Sequence, residues 1–258
     1  MIQHSVSRWC FGSTPLDVLC EKCLGFGISG IDLLRLDEIP VVQSHGVICS
    51  ITAAHPDEDG VGEIEKGFNN PGFHPALHTI YEKLIPAAAE LGVKQVICFS
   101  GNRDGISDEQ GLENCAIGLA PLIPLAEKHN IILVMELLNS KVDHPGYQCD
   151  HTAWGAALCE RVGSPHFKLL YDIYHMQIME GDVIRTIREN HRHISHYHTA
   201  GVPGRNEFDA SQELNYPAIA QAIAEMGFDG FIGQEYVPTT EEPFEFLPLA
   251  VKLCSGLK

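Results

Sequence analysis

Basic residues are scarce in this chain: 17 lysines and arginines face 34 aspartates and glutamates, a formal charge of -17 over 258 residues. So acidic a chain repels phosphate backbones, and no long Lys/Arg run builds a local basic groove, so no nucleic-acid partner is expected. Long apolar runs are missing too. No stretch reaches the length that spans a bilayer, and the opening MIQHSVSRWCFGS has neither the basic start nor the apolar run of a secretory signal. A cytoplasmic location without a membrane partner is the expectation. Several catalytic signatures are absent as well: there is no GxSxG elbow, no Walker loop and no HExxH helix. The stretch GFGISG at 25–30 precedes the second predicted strand instead of following the first, so a dinucleotide fold lacks its fingerprint.

Cysteine, by contrast, is plentiful. The nine lie at 10, 20, 23, 49, 98, 115, 149, 159 and 254, several inside apolar runs such as VICSI and VICFS. That is the usage of small buried hydrophobes in a reducing compartment. Cys20 and Cys23 share CxxC spacing, but they fall in a helical pattern with no second pair nearby, so packing is expected of them and not structural zinc.

Along the chain, apolar runs of strand length alternate with helical periodicity. Strands are predicted at 4–11, 28–34, 47–53, 94–100, 131–137, 167–171, 193–199 and 230–236. Helices are predicted at 15–24, 37–44, 74–91, 108–129, 151–162, 176–191 and 216–226, and from about 241 onward. Ser107 is the expected N-cap of the fourth helix, which Pro121 and Pro124 should bend or split. The Gly/Pro/Asn-rich stretch 55–73 reads as a working loop. A doubly wound open sheet is one arrangement of such units. Eight βα repeats without a domain break instead favour closure into a single (β/α)8 TIM barrel of the α/β class over residues 1–258.

Four polar residues then stand out, because each closes an apolar run in the second half. They are Glu136 in IILVME, Asp172 in FKLLYD, His198 in HISHYH and Glu235 in GFIGQE. A carboxylate at the end of a strand is often a helix cap or a salt-bridged rim residue, and a single histidine often makes a structural hydrogen bond. Four in equivalent places on strands five to eight are another matter, since barrel strand ends converge on one mouth. Three carboxylates crowded there without a cation would repel one another. A shared divalent ion resolves this, and three oxygen ligands with one imidazole suit Mg²⁺ or Mn²⁺, with Co²⁺ or Zn²⁺ also admissible. Such an ion makes the C–H beside a chelated hydroxy-carbonyl group acidic. Glu136 and Glu235, on strands five and eight, are placed to remove and return that proton.

Three further residues are candidates for substrate contact. His175 in YDIYHM lies at the turn after strand six, where the competing reading is a helix cap or a partner of Asp172. Arg205 in GVPGRNE lies on the loop after strand seven, where it either holds a substrate oxygen or pairs with Glu207. His55 in ITAAHP closes strand three and is the weaker candidate. Trp9 and Phe11 supply either apolar walls to the mouth or core packing.

At these residues the chain resembles the sugar isomerase and epimerase family of xylose isomerase-like barrels, most closely its hydroxypyruvate isomerase-like members. The resemblance spans nearly the whole chain. It is carried by YDIYHMQIMEGD at 171–182, MELLNSKVDHPGY at 135–147 and GQEYVP at 233–238. It implies that Glu136, Asp172, His198 and Glu235 ligate the metal, that the two glutamates are catalytic, and that His175 and Arg205 contact substrate. In the strand-seven ligand place hydroxypyruvate isomerases resemble a glutamine version, whereas ketose epimerases have histidine, as here. The reaction implied is aldose–ketose isomerisation or epimerisation through an enediol, in a homodimer or homotetramer. Leu137 stands where the family has proline, and the loops 199–216 and 62–74 depart from the hydroxypyruvate isomerase pattern. Conversion of hydroxypyruvate to tartronate semialdehyde is accordingly the leading expectation, with a ketose 3-epimerase or an inosose-type dehydratase as alternatives. An endonuclease IV-like repair enzyme and a noncatalytic sugar-binding protein are further alternatives, the first disfavoured by the charge.

Overall fold

The computed structural model describes residues 2–256. Eight strands form one parallel sheet: β1 (Gln3–Ser7), β2 (Gly30–Asp32), β3 (Ile48–Cys49), β4 (Gln95–Cys98), β5 (Ile132–Leu137), β6 (Phe167–Asp172), β7 (Ile194–Thr199) and β8 (Phe231–Gln234). Their order, β3-β2-β1-β8-β7-β6-β5-β4, leaves β3 and β4 as its ends. Thr52, just beyond β3, joins those ends. It bridges both Leu34 and Val96, its N–H donates to the Gln95 carbonyl at 3.1 Å, and its carbonyl accepts from Ile97 at 2.9 Å. The sheet is thereby closed into the expected barrel.

Ten α-helices surround it among the described residues: α1 (Leu16–Gly25), α2 (Ile39–Ser44), α3 (His74–Glu90), α4 (Asp108–Leu119), α5 (Ile123–His129), α6 (Thr152–Val162), α7 (Ile173–Met179), α8 (Val183–Asn190), α9 (Tyr216–Glu225) and α10 (Leu247–Leu253). Two predicted helices are each two. The stretch 108–129 breaks before Pro124, and Ser107 caps its first half by accepting from the Gln110 N–H. The stretch 176–191 begins earlier, at Ile173, and breaks at Gly181 and Asp182, both in the left-handed region (φ 64° and 46°). Strand one is shorter than predicted, because Arg8–Phe11 coils into a 3-10 turn. The last helix starts at Leu247 instead of near 241. No helix among the described residues is long and apolar enough to cross a membrane.

Two apolar clusters result. The larger lies between sheet and helices, and the smaller, of Ile51, Ile97, Val134 and Leu170, stands apart from it. Because side chains alternate across a strand, Val134 and Glu136 share one face of β5, as Leu170 and Asp172 share one face of β6. Leu170 pairs in register with His196, Asp172 with His198, and His198 with Gly233. The smaller cluster therefore fills the lumen directly beneath the strand-end polar residues. All nine cysteines are free and all but Cys10 are buried, Cys20 and Cys23 included, as expected of packing residues.

Candidate active site

Glu136, Asp172, His198 and Glu235 come together as their equivalent strand positions predict. Each offers a ligand atom within 4.8 Å of the others, and none is more than 5% exposed. His198 stands between the glutamates: its Nδ1 lies 3.2 Å from Glu136 Oε1 and 3.0 Å from Glu235 Oε2. This is a donor set of three carboxylates and one imidazole, buried on one side of the barrel, and it fits a divalent cation.

Arg205 reaches into the same cluster. Its Nη2 donates to Glu235 Oε2 at 2.8 Å and lies 3.8 Å from Asp172 Oδ2. Trp9 and Tyr174 present their rings to the guanidinium at 5.1 and 5.4 Å, a cation–π arrangement. The pairing with Glu207 does not form; Glu207 instead accepts from Thr239. Trp9 also donates from Nε1 to Glu235 Oε1 at 2.8 Å, beside the Ser7 hydroxyl at 2.9 Å, so it belongs to the site. Phe11 belongs to the core, stacked on Phe244.

The electrostatics are uneven. Burial alone would raise Glu235, but the His198 and Arg205 charges reverse this and hold its carboxyl well below the usual range. Asp172 is pushed up to about 7, chiefly by burial, with Arg205 offsetting part of the effect. Burial would lower His198, yet the surrounding carboxylates, Glu235 foremost, raise it well above an ordinary histidine. Glu136 is held more loosely. Among the described residues its side chain meets one partner, His198, against four donors around Glu235.

His175 is fully buried and lies 3.6 Å from Asp172. Its Nδ1 accepts the backbone N–H of Asn139 at 3.1 Å, which places the ring hydrogen on Nε2, and among the described residues Nε2 has no hydrogen-bond partner. Burial, reinforced by the Arg205 charge, lowers its pKa well below the ordinary value, so the ring is neutral. The capping reading is also met, but by other atoms: Asp172 caps α7 by accepting the His175 backbone N–H. His55 is exposed on the loop after β3 and is not among the residues that the cluster brings together.

Asp32 and its partner His196 escaped the sequence. Asp32, at the end of β2, is fully buried, and its Oδ2 accepts from His196 Nε2 at 2.8 Å and His198 Nε2 at 3.1 Å, while Ser50 donates to Oδ1. Burial would raise its pKa, but His196 and then His198 hold it far below the usual carboxylate range. The signal was present: ISGID ends on a carboxylate, as the runs before Glu136, Asp172 and Glu235 do. The predicted strand ran on through Leu34, which put Asp32 inside it and hid the ending.

The comparisons agree with the geometry. The family described as "Xylose isomerase-like TIM barrel" matches residues 41–248. Hydroxypyruvate isomerase of Escherichia coli is 33% identical over 237 residues, covering 89% of this chain and 91% of that protein. A putative hydroxypyruvate isomerase of Homo sapiens is 30% identical over 188 residues, covering 71% and 68%. Among solved structures, a family 2 AP endonuclease of Brucella melitensis superposes with a TM-score of 0.83 at 24% identity, covering 94% of this chain and 96% of that one. D-psicose 3-epimerase of Clostridium cellulolyticum does so with 0.80 at 15%, covering 98% of each. At such identities the solved structures speak for the fold, while the family match and the first relative span most of the chain: it belongs to the xylose isomerase-like TIM-barrel family and is an enzyme of the isomerase type.

Proposed function

We propose that this protein is a divalent-metal-dependent epimerase that inverts a carbinol carbon beside the carbonyl of a small ketose. The observation that carries the reading is His198, whose Nδ1 sits 3.0–3.2 Å from both Glu136 and Glu235. Histidine in this place is the ketose epimerase version of the ligand set, and a D-psicose 3-epimerase shares the fold.

Glu136, Asp172, His198 and Glu235 would hold the cation, which when bound polarises the substrate carbonyl and hydroxyl so that the adjacent C–H becomes acidic. Glu136, the less encumbered carboxylate, accepts that proton. Glu235 approaches from β8; its carboxylate takes a proton from solvent and passes it to the opposite face, returning to the ionised form that His198 and Arg205 favour, while Glu136 gives up its proton to solvent. At the cluster, His175 Nε2 and Arg205 Nε are buried donors with no hydrogen-bond partner among the described residues. Buried donors are rarely left unpaired, so these are assigned to substrate oxygens. Trp9 supplies a wall to the mouth. His55 contributes at most an outer contact from its exposed loop.

Isomerisation of hydroxypyruvate uses the same groups and is the second reading, favoured by the coverage of the Escherichia coli relative. The test is product analysis in D₂O with Mn²⁺ present, across ketoses, hydroxypyruvate and inososes. An epimer carrying one deuterium at the inverted carbon is expected. Turnover of hydroxypyruvate alone would replace the substrate class, and loss of water without any isomer would sink proton-transfer isomerisation altogether. Cleavage of abasic DNA at catalytic enzyme concentrations would overturn the small-molecule assignment.

A further inference from the structure

Asp32, His196 and His198 form a second buried group whose ligand atoms lie within 4.8 Å of one another. It is a poor place for a second cation, because its acceptors are already used. Asp32 Oδ2 takes two imidazole N–H donors, at 2.8 and 3.1 Å, and Oδ1 takes the Ser50 hydroxyl. The packing is closed as well: a Cβ on Gly233 would overlap Asp32 Oδ2 and lie 2.8 Å from His198 Cδ2. The group is better understood through the ring it shares with the first cluster. His198 turns Nδ1 toward Glu136 and Glu235, and Nε2 toward Asp32.

A neutral imidazole carries one ring hydrogen, and only the nitrogen without it can ligate a metal. Glu136 and Glu235 draw that hydrogen to Nδ1, which would spoil the ligand. Asp32, a carboxylate with no donor of its own, draws it to Nε2 and leaves the Nδ1 lone pair facing the cluster. We infer that Asp32 is a positioning residue that selects the metal-ligating tautomer of His198, with Ser50 and His196 fixing its carboxylate. This rests on the metal site proposed above, and it concerns a residue that touches neither cation nor substrate. Gly233 leaves the space in which the carboxylate meets the ring.

The test uses Mn²⁺ alone as probe, with binding measured by titration calorimetry and imidazole-nitrogen coupling to the bound ion measured by pulsed EPR. Asp32→Asn keeps the shape but can present an N–H to Nε2, which favours the wrong tautomer. Mn²⁺ binding weakened by roughly 10- to 100-fold, with diminished nitrogen coupling, is expected, as for other partners of metal-bound histidines. Ser50→Ala removes only the hydroxyl on Oδ1 and should weaken binding by about threefold, the worth of one hydrogen bond. Wild-type affinity and coupling in folded Asp32→Asn overturn the inference. Should that variant not fold, unchanged affinity in Ser50→Ala overturns it instead. Absence of Mn²⁺ binding to the wild-type protein overturns the metal site and this inference with it, whereas equal binding by wild type and Asp32→Asn removes this inference alone.

Discussion

Two groups of buried side chains share the barrel interior: an apolar wall of Ile51, Ile97, Val134 and Leu170, and a polar wall of Asp32, Ser50 and His196. Both walls are fully buried or nearly so, and they reach that state by different physics. The apolar wall needs nothing beyond contact, since its side chains leave water favourably at about 25 cal/mol per Å² of apolar surface. In the polar wall, burial is tolerated only because nearly every donor faces an acceptor; an unpaired group would cost on the order of 1–3 kcal/mol. Apolar residues of similar volume often serve stability as well as or better than a buried ionic network. The polar wall is therefore poorly explained by stability and well explained by what stands above it, the ring of His198.

Breaking the walls separately should give opposite results. The largest expected effect lies at the mouth: Glu136→Gln removes a proton acceptor with a single protein contact, so kcat falls by about 10³-fold while the melting temperature barely moves. Glu235→Gln should lose as much activity and some stability too, because its amide faces Arg205 and His198 in place of a carboxylate. Turnover and thermal melts of both variants check this, and wild-type kcat in either would break the two-glutamate reading. In the apolar wall Leu170→Ala leaves a cavity and should cost about 2–5 kcal/mol of stability by urea titration. Its Mn²⁺ affinity per folded molecule should stay near wild type, the reverse of the pattern expected for Asp32→Asn.

The same contrast explains what was legible in the sequence. Glu136, Asp172 and Glu235 close apolar runs at equivalent strand ends, which local capping explains for Asp172 but not for all three, so their convergence follows from counting βα units. His196 and Asp32 were overlooked for opposite reasons. Neighbouring histidines at 193, 196 and 198 make any one look incidental, and Asp32 falls inside the strand predicted at 28–34. Which nitrogen of His198 faces which carboxylate has no linear signature at all, because it depends on atoms from β2, β5, β7 and β8 meeting around one ring. The short strands are a related case. β3 has two paired residues, Ile48 and Cys49, and closure falls to Thr52, whose role depends on register with β4 and not on its own apolar run.

His4 marks a third way to bury a polar group, and it yields the smallest expected effect. Ser5 and Ser7 point toward the polar wall and the site, so His4 shares the outer face of β1 with Val6, against the helices. It is 7% exposed, its Nδ1 has no hydrogen-bond partner among the described residues, and burial lowers its pKa from 6.5 to about 4. Between those values the unfolded chain binds more protons than the folded one, so the contribution of His4 to stability falls as pH drops through 6.5 and levels off near 4. Moving from pH 7.5 to 5.5 should cost about 1 kcal/mol through this residue. Urea titrations of wild type and His4→Leu at both pH values isolate it: the variant should lose about 1 kcal/mol less than wild type. Equal losses would mean that protonated His4 finds a partner on the outer face, and that even this orphaned group is served like those of the polar wall.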